Sequence, residues 1–234
     1  CKGVCTRVKT IQVDTDKSNP LCDGEYCFDE ALLAPLKQKL NSLTNDNTLI
    51  VLHMIGSHGP TYFKRYPSEK SVFTPDCQRS DIQNCSPEQL LNTYDNTIAY
   101  TDFVISKVIN ELSVLDKKNN IESSLLYISD HGESLGESGV YLHGLPYAFA
   151  PEEQTHVPMI FWADTMQADF NTACLRDLSK SRISHDNVFD TLLSIMSVKS
   201  KAYNIENDPF IDCKSEHAIA RTNSTSAFNI ERIN

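Results

Sequence analysis

Asp130 and His131 stand side by side where the apolar run "SSLLYIS" ends, and Gly132 follows them. A carboxylate oxygen and an imidazole nitrogen held at a strand end form a donor mix that suits zinc, which binds such ligands at about 2.0–2.2 Å. The glycine leaves a metal or substrate room to approach. His143 comes twelve residues after His131 in "YLHGLPY", and His58 sits in "GSHGP"; each is followed by glycine. Imidazoles in such loops hold phosphate oxygens or hand a proton to a leaving alkoxide. An isolated Asp-His pair is more often a turn cap beside a surface imidazole, and a lone histidine is usually a hydrogen-bonded structural residue. The strand-end location and the two His-Gly steps favour a metal and phosphate site. His53, inside "LIVLHMI", is read as a core or near-site histidine and not a ligand, and His156, His185 and His217 as solvated. Glu133 and Glu137 are assigned to loop amides, and Tyr62, Lys64 and Arg65 to a solvated loop.

These residues need rigid supports. "NTLIVLHMIGSHGP" predicts a buried strand over Thr48–Met54 with a glycine-punctuated loop behind it, and "SSLLYISDHGES" repeats that design with a strand over Ser124–Ser129. A third run, Val157–Ala163, is pushed toward an edge by Pro158. Between the first two, Ser86, Pro87 and Gln89 have the form of a capping box with proline at the first helical position. Apolar residues at Leu91, Tyr94, Ile98, Ile105, Val108 and Leu112 then keep nearly helical period, so a long helix joins two strands as a βαβ unit. Shorter helices are expected over Phe28–Leu40 and Asn187–Met196. Ligands of open α/β sheets bind at the carboxyl ends of the strands, so the loops carrying His58 and His131 are expected to converge. The result is one α/β domain over residues 1–213, followed by a polar, loosely packed tail over 214–234.

At 234 residues the chain can bury a large core, and 40% hydrophobic with 22% charged residues is an ordinary globular composition. A net charge of -10 argues against a nucleic-acid partner, because phosphate backbones demand clustered Lys and Arg. It leaves a small phosphorylated substrate open, since that responds to the local field of its pocket. No run reaches the roughly 18–20 apolar residues of a membrane helix, and Cys1-Lys2-Gly3 does not begin a signal peptide. The chain is therefore read as part of a longer one, cut after any export or anchoring segment. Six of the eight cysteines fall in close pairs, Cys1/Cys5, Cys22/Cys27 and Cys77/Cys85, leaving Cys174 with Cys213. Local disulfides in an oxidising compartment are the favoured explanation; the rival, a zinc-thiolate cluster, favours C-x2-C repeats that are absent. Walker, dinucleotide-binding and G-x-S-x-G signatures are absent too.

Three long collinear stretches, "LIVLHMIGSHGPTYFKRYP", "NTYDNTIAYTDFVI" and "YISDHGESLGESGVYLHGLPYAFAPEEQTHVPM", closely resemble the phosphoethanolamine–lipid A transferases, which include the mobile colistin resistance enzymes. The similarity runs nearly to Cys213. It implies an alkaline-phosphatase/sulfatase-like α/β/α sandwich at the periplasmic face of the Gram-negative inner membrane, disulfide-rich and carrying one catalytic zinc. It places the zinc on Asp130 and His131 and substrate-side roles on His58 and His143. It further implies a zinc-activated threonine that takes phosphoethanolamine from phosphatidylethanolamine and passes it to a lipid A phosphate, weakening polymyxin binding. That threonine, a glutamate ligand and the membrane anchor belong upstream of the first cysteine pair. The chain alone is thus expected to be inactive and to bind zinc weakly or not at all. The alternatives are a related phosphoglycerol transferase or hydrolase, and a non-catalytic, disulfide-rich periplasmic binding module.

Overall fold

The computed structural model describes residues 8–44, 47–119, 121–163, 169–215 and 228–234. In chain order its elements are β1 (Lys9–Ile11), α1 (Leu33–Leu40), β2 (Asn47–Leu52), α2 (Pro87–Asn119), β3 (Ser124–Ile128), β4 (Ser134–Leu135), β5 (Tyr141–Leu142), α3 (Glu152–Thr155), β6 (Met159–Ala163), α4 (Thr172–Leu178), α5 (Val188–Ile195) and β7 (Phe228–Ile233), with short 3-10 turns between them. Strands β2, β3 and β6 fall on the three predicted apolar runs, and α1, α2 and α5 on the predicted helices. Disulfides join Cys22 to Cys27, Cys77 to Cys85 and Cys174 to Cys213. Cys1 and Cys5 lie outside the described residues, as does His217.

Helix α2 starts as its sequence dictates. Ser86 N–H donates to Gln89 Oε1 at 3.0 Å and Gln89 N–H to Ser86 Oγ at 3.1 Å, a reciprocal cap. The helix then runs for 33 residues, about 50 Å at roughly 1.5 Å per residue. Its C-terminal half buries Val108, Leu112 and Leu115 against Leu36 and Leu40 of α1 and against Ile233 of β7. Leu52 of β2, Leu125 of β3 and Trp162 of β6 pack on the same cluster, so one core serves all these strands. The N-terminal half is different. Leu91 and Ile98, counted above as its apolar face, are 51% and 47% exposed, while Thr93, Asn96 and Thr97 are sealed. The reason is what this half packs against: loop backbone rather than sheet. Asn96 Oδ1 accepts the N–H groups of Val72 and Phe73, Thr93 Oγ1 that of Cys77, and Thr97 Oγ1, which donates to the Tyr94 carbonyl, is hydrogen-bonded to the Ser57 hydroxyl of the loop. Buried amides demand partners, and short polar side chains supply them where leucine cannot.

The predicted βαβ unit holds only in part. α2 does connect β2 to β3, but β3 pairs antiparallel with β6, from Ser124↔Ala163 to Ile128↔Met159. β2 instead pairs in parallel with β7, from Asn47↔Phe228 to Leu52↔Ile233, and β7 pairs in parallel with β1. The end of the supposedly loose tail is thus the middle strand of a three-stranded sheet. Composition hid it, because central parallel strands are usually runs of apolar residues, whereas this one buries Glu231 and Arg232. Both side chains have polar partners. Glu231 Oε1 accepts from Lys39 Nζ at 2.8 Å and faces Lys9 Nζ at 3.6 Å, which holds its carboxyl below the usual range. Arg232 reaches His53 and Asn234. His53 is therefore an exposed histidine at the end of β2 tied to the last strand, not a core residue.

Ile233 has no exposed surface and sits in the shared core, while Ile230 is 38% exposed. Urea unfolding should show Ile233→Ala losing about 2–5 kcal/mol and Ile230→Thr staying within about 0.5 kcal/mol. Equal, negligible effects would contradict a docked β7.

Candidate functional site

β2 and β3 end at the same side of the core, and their following loops bring His58 and His131 together. The two rings lie with centroids 6.0 Å apart. His143 completes a trio, 5.0 Å from His58 and stacked on His131 at 3.8 Å. One ring nitrogen of each lies within 4.8 Å of the others'. The hairpin of β4 and β5 accounts for the third member. Its register pairs Ser134 with Leu142, so the flanking positions, Glu133 and His143, also fall opposite each other.

The hydrogen bonds decide which nitrogen each ring has to offer. His58 Nδ1 lies 2.7 Å from the Gly59 carbonyl, and His131 Nδ1 2.9 Å from the Gly132 carbonyl. His143 Nδ1 lies 3.1 Å from Glu133 Oε1. Every one of these partners is an acceptor without a proton, so in each ring Nδ1 carries the hydrogen and Nε2 keeps its lone pair. Three imidazoles oriented this way form a donor set suited to a divalent metal, with the outer nitrogen of each fixed by an oxygen, as metal-binding histidines usually are. Protonated, the same nitrogens become donors to phosphate oxygens.

The predicted residues thus fall into two groups. His58, His131 and His143 converge. Asp130, paired above with His131 as a metal ligand, has an 89% exposed side chain; its Oδ1 accepts the His131 N–H at 3.0 Å and lies 3.8 Å from His131 Nε2. It borders the trio beside His131. Two expectations about neighbours need correcting. Glu133 is 5% exposed and does far more than hold an amide: Oε1 accepts from Gly59 N–H at 3.0 Å as well as from His143. Tyr62 and Arg65 are 1% and 6% exposed, not solvated; burial and then the Glu133 carboxylate raise the Tyr62 phenol far above its ordinary pKa. His185 is exposed, as expected, and its Nε2 lies 2.8 Å from the Ser129 carbonyl at the end of β3. Hairpin register was the signal for Glu133, but it needs the turn between β4 and β5 to be known first.

Two glycines set how closely these loops approach. A Cβ on Gly59 would come within 2.6 Å of both Leu142 Cδ2 and the Tyr62 oxygen. On Gly132 it would lie 2.0 Å from the Glu153 carbonyl oxygen, where Gly132 N–H donates to the Gln154 carbonyl at 3.0 Å.

Three converging imidazoles beside the ends of strands in a mixed α/β domain can hold a metal ion or a phosphate group. Residues 2–198 match the sulfatase family model, and the chain belongs to that family. Its fold is the sulfatase/alkaline-phosphatase-like one. The chain is 44% identical over 220 residues to "Phosphoethanolamine transferase EptA" of Escherichia coli (strain K12), an alignment covering 92% of this chain and 39% of that protein. It is 38% identical over 203 residues to "Phosphatidylethanolamine transferase Mcr-1" of Escherichia coli, covering 84% and 36%. It therefore spans about two-fifths of the length of these relatives. The crystal structure of the soluble domain of lipooligosaccharide phosphoethanolamine transferase A from Neisseria meningitidis superposes with a TM-score of 0.85 at 40% identity, over 92% of this chain and 65% of that one.

The contact at Gly132 is with backbone, which cannot rotate aside. Gly132→Ala should cost about 1–3 kcal/mol in urea unfolding and shift the imidazole NMR signals of His131. Wild-type stability and spectra would show that the loop is not packed on α3 as described.

Proposed function

We propose that this chain forms the metal- and phosphate-holding part of a phosphoethanolamine transferase. Its donor would be phosphatidylethanolamine and its acceptor a lipid A phosphate, at the periplasmic face of the Gram-negative inner membrane. The supporting observation is the trio of imidazoles with Nε2 left open, in a chain whose relatives are named as such transferases. Among the described residues no helix is long and apolar enough to cross a membrane.

The donor set suits zinc: His131 Nε2 with the neighbouring Asp130 carboxylate offers the nitrogen–oxygen mix that zinc accepts, and His58 and His143 line the same opening. When bound, the metal would offset phosphate charge and ease deprotonation of an attacking hydroxyl. The residues of this chain do the rest. His58 and His143 hold the non-bridging phosphate oxygens through Nε2–H when protonated. Glu133 keeps His143 turned so that Nε2, not Nδ1, faces the ester. As the phosphorus–oxygen bond to diacylglycerol breaks, His143 passes its Nε2 proton to the departing alkoxide. Lipid A phosphate, as the second acceptor, then approaches the same two imidazoles. The attacking hydroxyl is the threonine that the family resemblance implies, which matches no position of this chain.

Zinc titrated into the full-length protein carrying this chain, against a chromophoric chelator, should bind at this site, and His131→Ala should weaken it by at least about tenfold. Binding unchanged in that variant would remove His131 from the ligand set. For the reaction, the full-length protein carrying this chain should add phosphoethanolamine to lipid A in a polymyxin-sensitive host, read by mass spectrometry. His143→Ala should lower transfer by about 10²-fold or more. Unmodified lipid A beside well-expressed, folded protein would overturn the proposal.

A further inference from the structure

One short segment, residues 22–29, backs the His58 loop on both sides. The disulfide between Cys22 and Cys27 closes around a tight turn. Inside it Asp23 Oδ1 accepts the N–H groups of Glu25 and Tyr26 at 2.9 and 2.7 Å, and Asp23 N–H donates to the Tyr26 carbonyl at 2.9 Å. Tyr26 is thereby held on a fixed base. Its ring lies 5.6 Å from the Arg65 guanidinium carbon, within the range of about 6 Å over which a cation is attracted to an aromatic face. Arg65 in turn donates through Nε to the His58 carbonyl at 2.8 Å and through a terminal nitrogen to Thr61 Oγ1 at 3.0 Å. Just beyond the disulfide, buried Asp29 accepts the N–H groups of Ile55 and Gly56 at 2.8 and 2.9 Å.

The loop is tied ahead of His58 by Asp29 and at its own carbonyl by Arg65. Neither side chain is bonded to the imidazole; both act through the backbone that carries it. Burying a guanidinium is costly, and an apolar residue of similar size would often stabilise a core as well or better. The geometry here instead spends the guanidinium's directed donors on the loop that ends in the site, which a non-directional packing residue could not do.

We propose that Asp29 and Arg65 are positioning residues for His58, and that the closed Cys22–Cys27 loop, by presenting Tyr26 to Arg65, extends this control to the disulfide. The functional part rests on the role given to His58 above; the positioning itself does not.

The test uses the whole chain labelled with 15N-histidine, with ring signals assigned by single histidine replacements. Arg65→Lys, Tyr26→Ala and the double variant Cys22→Ser/Cys27→Ser should each shift or broaden the His58 ring signals and leave those of His156, exposed and paired with Glu152, in place. Tyr26→Phe keeps the aromatic face and should match the wild type. In the full-length protein carrying this chain, zinc affinity should fall by about tenfold in Arg65→Lys. Unchanged His58 signals in folded Arg65→Lys and Tyr26→Ala variants would overturn the proposal, as would equal displacement of all histidines. Should the double serine variant not fold, Tyr26→Ala decides with the disulfide intact. Displaced His58 signals together with no lipid A modification even by the full-length wild type would sink the transferase role and leave the positioning standing.

Discussion

The Glu133 carboxylate is the tie on which the site's geometry depends. A single oxygen accepts a backbone N–H from the His58 loop and a ring N–H from His143, joining two segments that are 74 and 10 residues distant along the chain. Because the group is buried, water competes little for either bond, and a charge-assisted hydrogen bond is stronger than a neutral one. Its acceptor character also dictates the His143 tautomer. The His58 and His131 rings obtain the same orientation from carbonyls of the residue after each, which is a local matter of backbone. Only His143 depends on a side chain brought from across a hairpin.

Such a bridge works because α2 holds both of its ends. Leu90 and Tyr94 of that helix pack with Tyr62 beside the His58 loop and with Leu135 and Leu142 of the hairpin, while Tyr100 and Val104 pack with Tyr66 further along the same loop. Thr93 and Asn96 between these contacts saturate loop amides, and Thr97 bonds the Ser57 hydroxyl. One helix therefore couples the hydrophobic core at its C-terminal half to the irregular, hydrogen-bonded scaffold of the site at the other. Exposed Leu91 and Ile98 are the visible cost of that division, since a face that must satisfy backbone cannot also be apolar.

The sheet places charge where apolar residues are the rule. β7 pairs in parallel with β2 along its length and with β1 over Glu231 to Ile233, where its backbone is engaged on both sides whatever its side chains are. Lys39 and Lys9 on one side, His53 and Asn234 on the other, give Glu231 and Arg232 their polar partners. Strand identity in this case follows from strand pairing and from polar partners brought by other segments, neither of which leaves a periodic trace in "FNIERI". The apolar runs that became β2, β3 and β6 left clear traces because each buries its side chains in the common core.

The residues alone determined the α/β class, three strands and three helices, the cap of α2, the local cysteine pairs and the loops that carry His58, Asp130, His131 and His143. Each rests on interactions between residues close in the chain or on a burial pattern with its own period. The family resemblance added a zinc and two lipid substrates, which stand as proposals. Tertiary structure decided the rest: that the three histidines meet with Nε2 open, that Asp130 lies at their edge, that Glu133 and Arg65 are buried behind them, and that the last residues form a central strand. Those outcomes turn on contacts between distant segments, where one buried polar atom must find one partner, and such pairings carry no local signature.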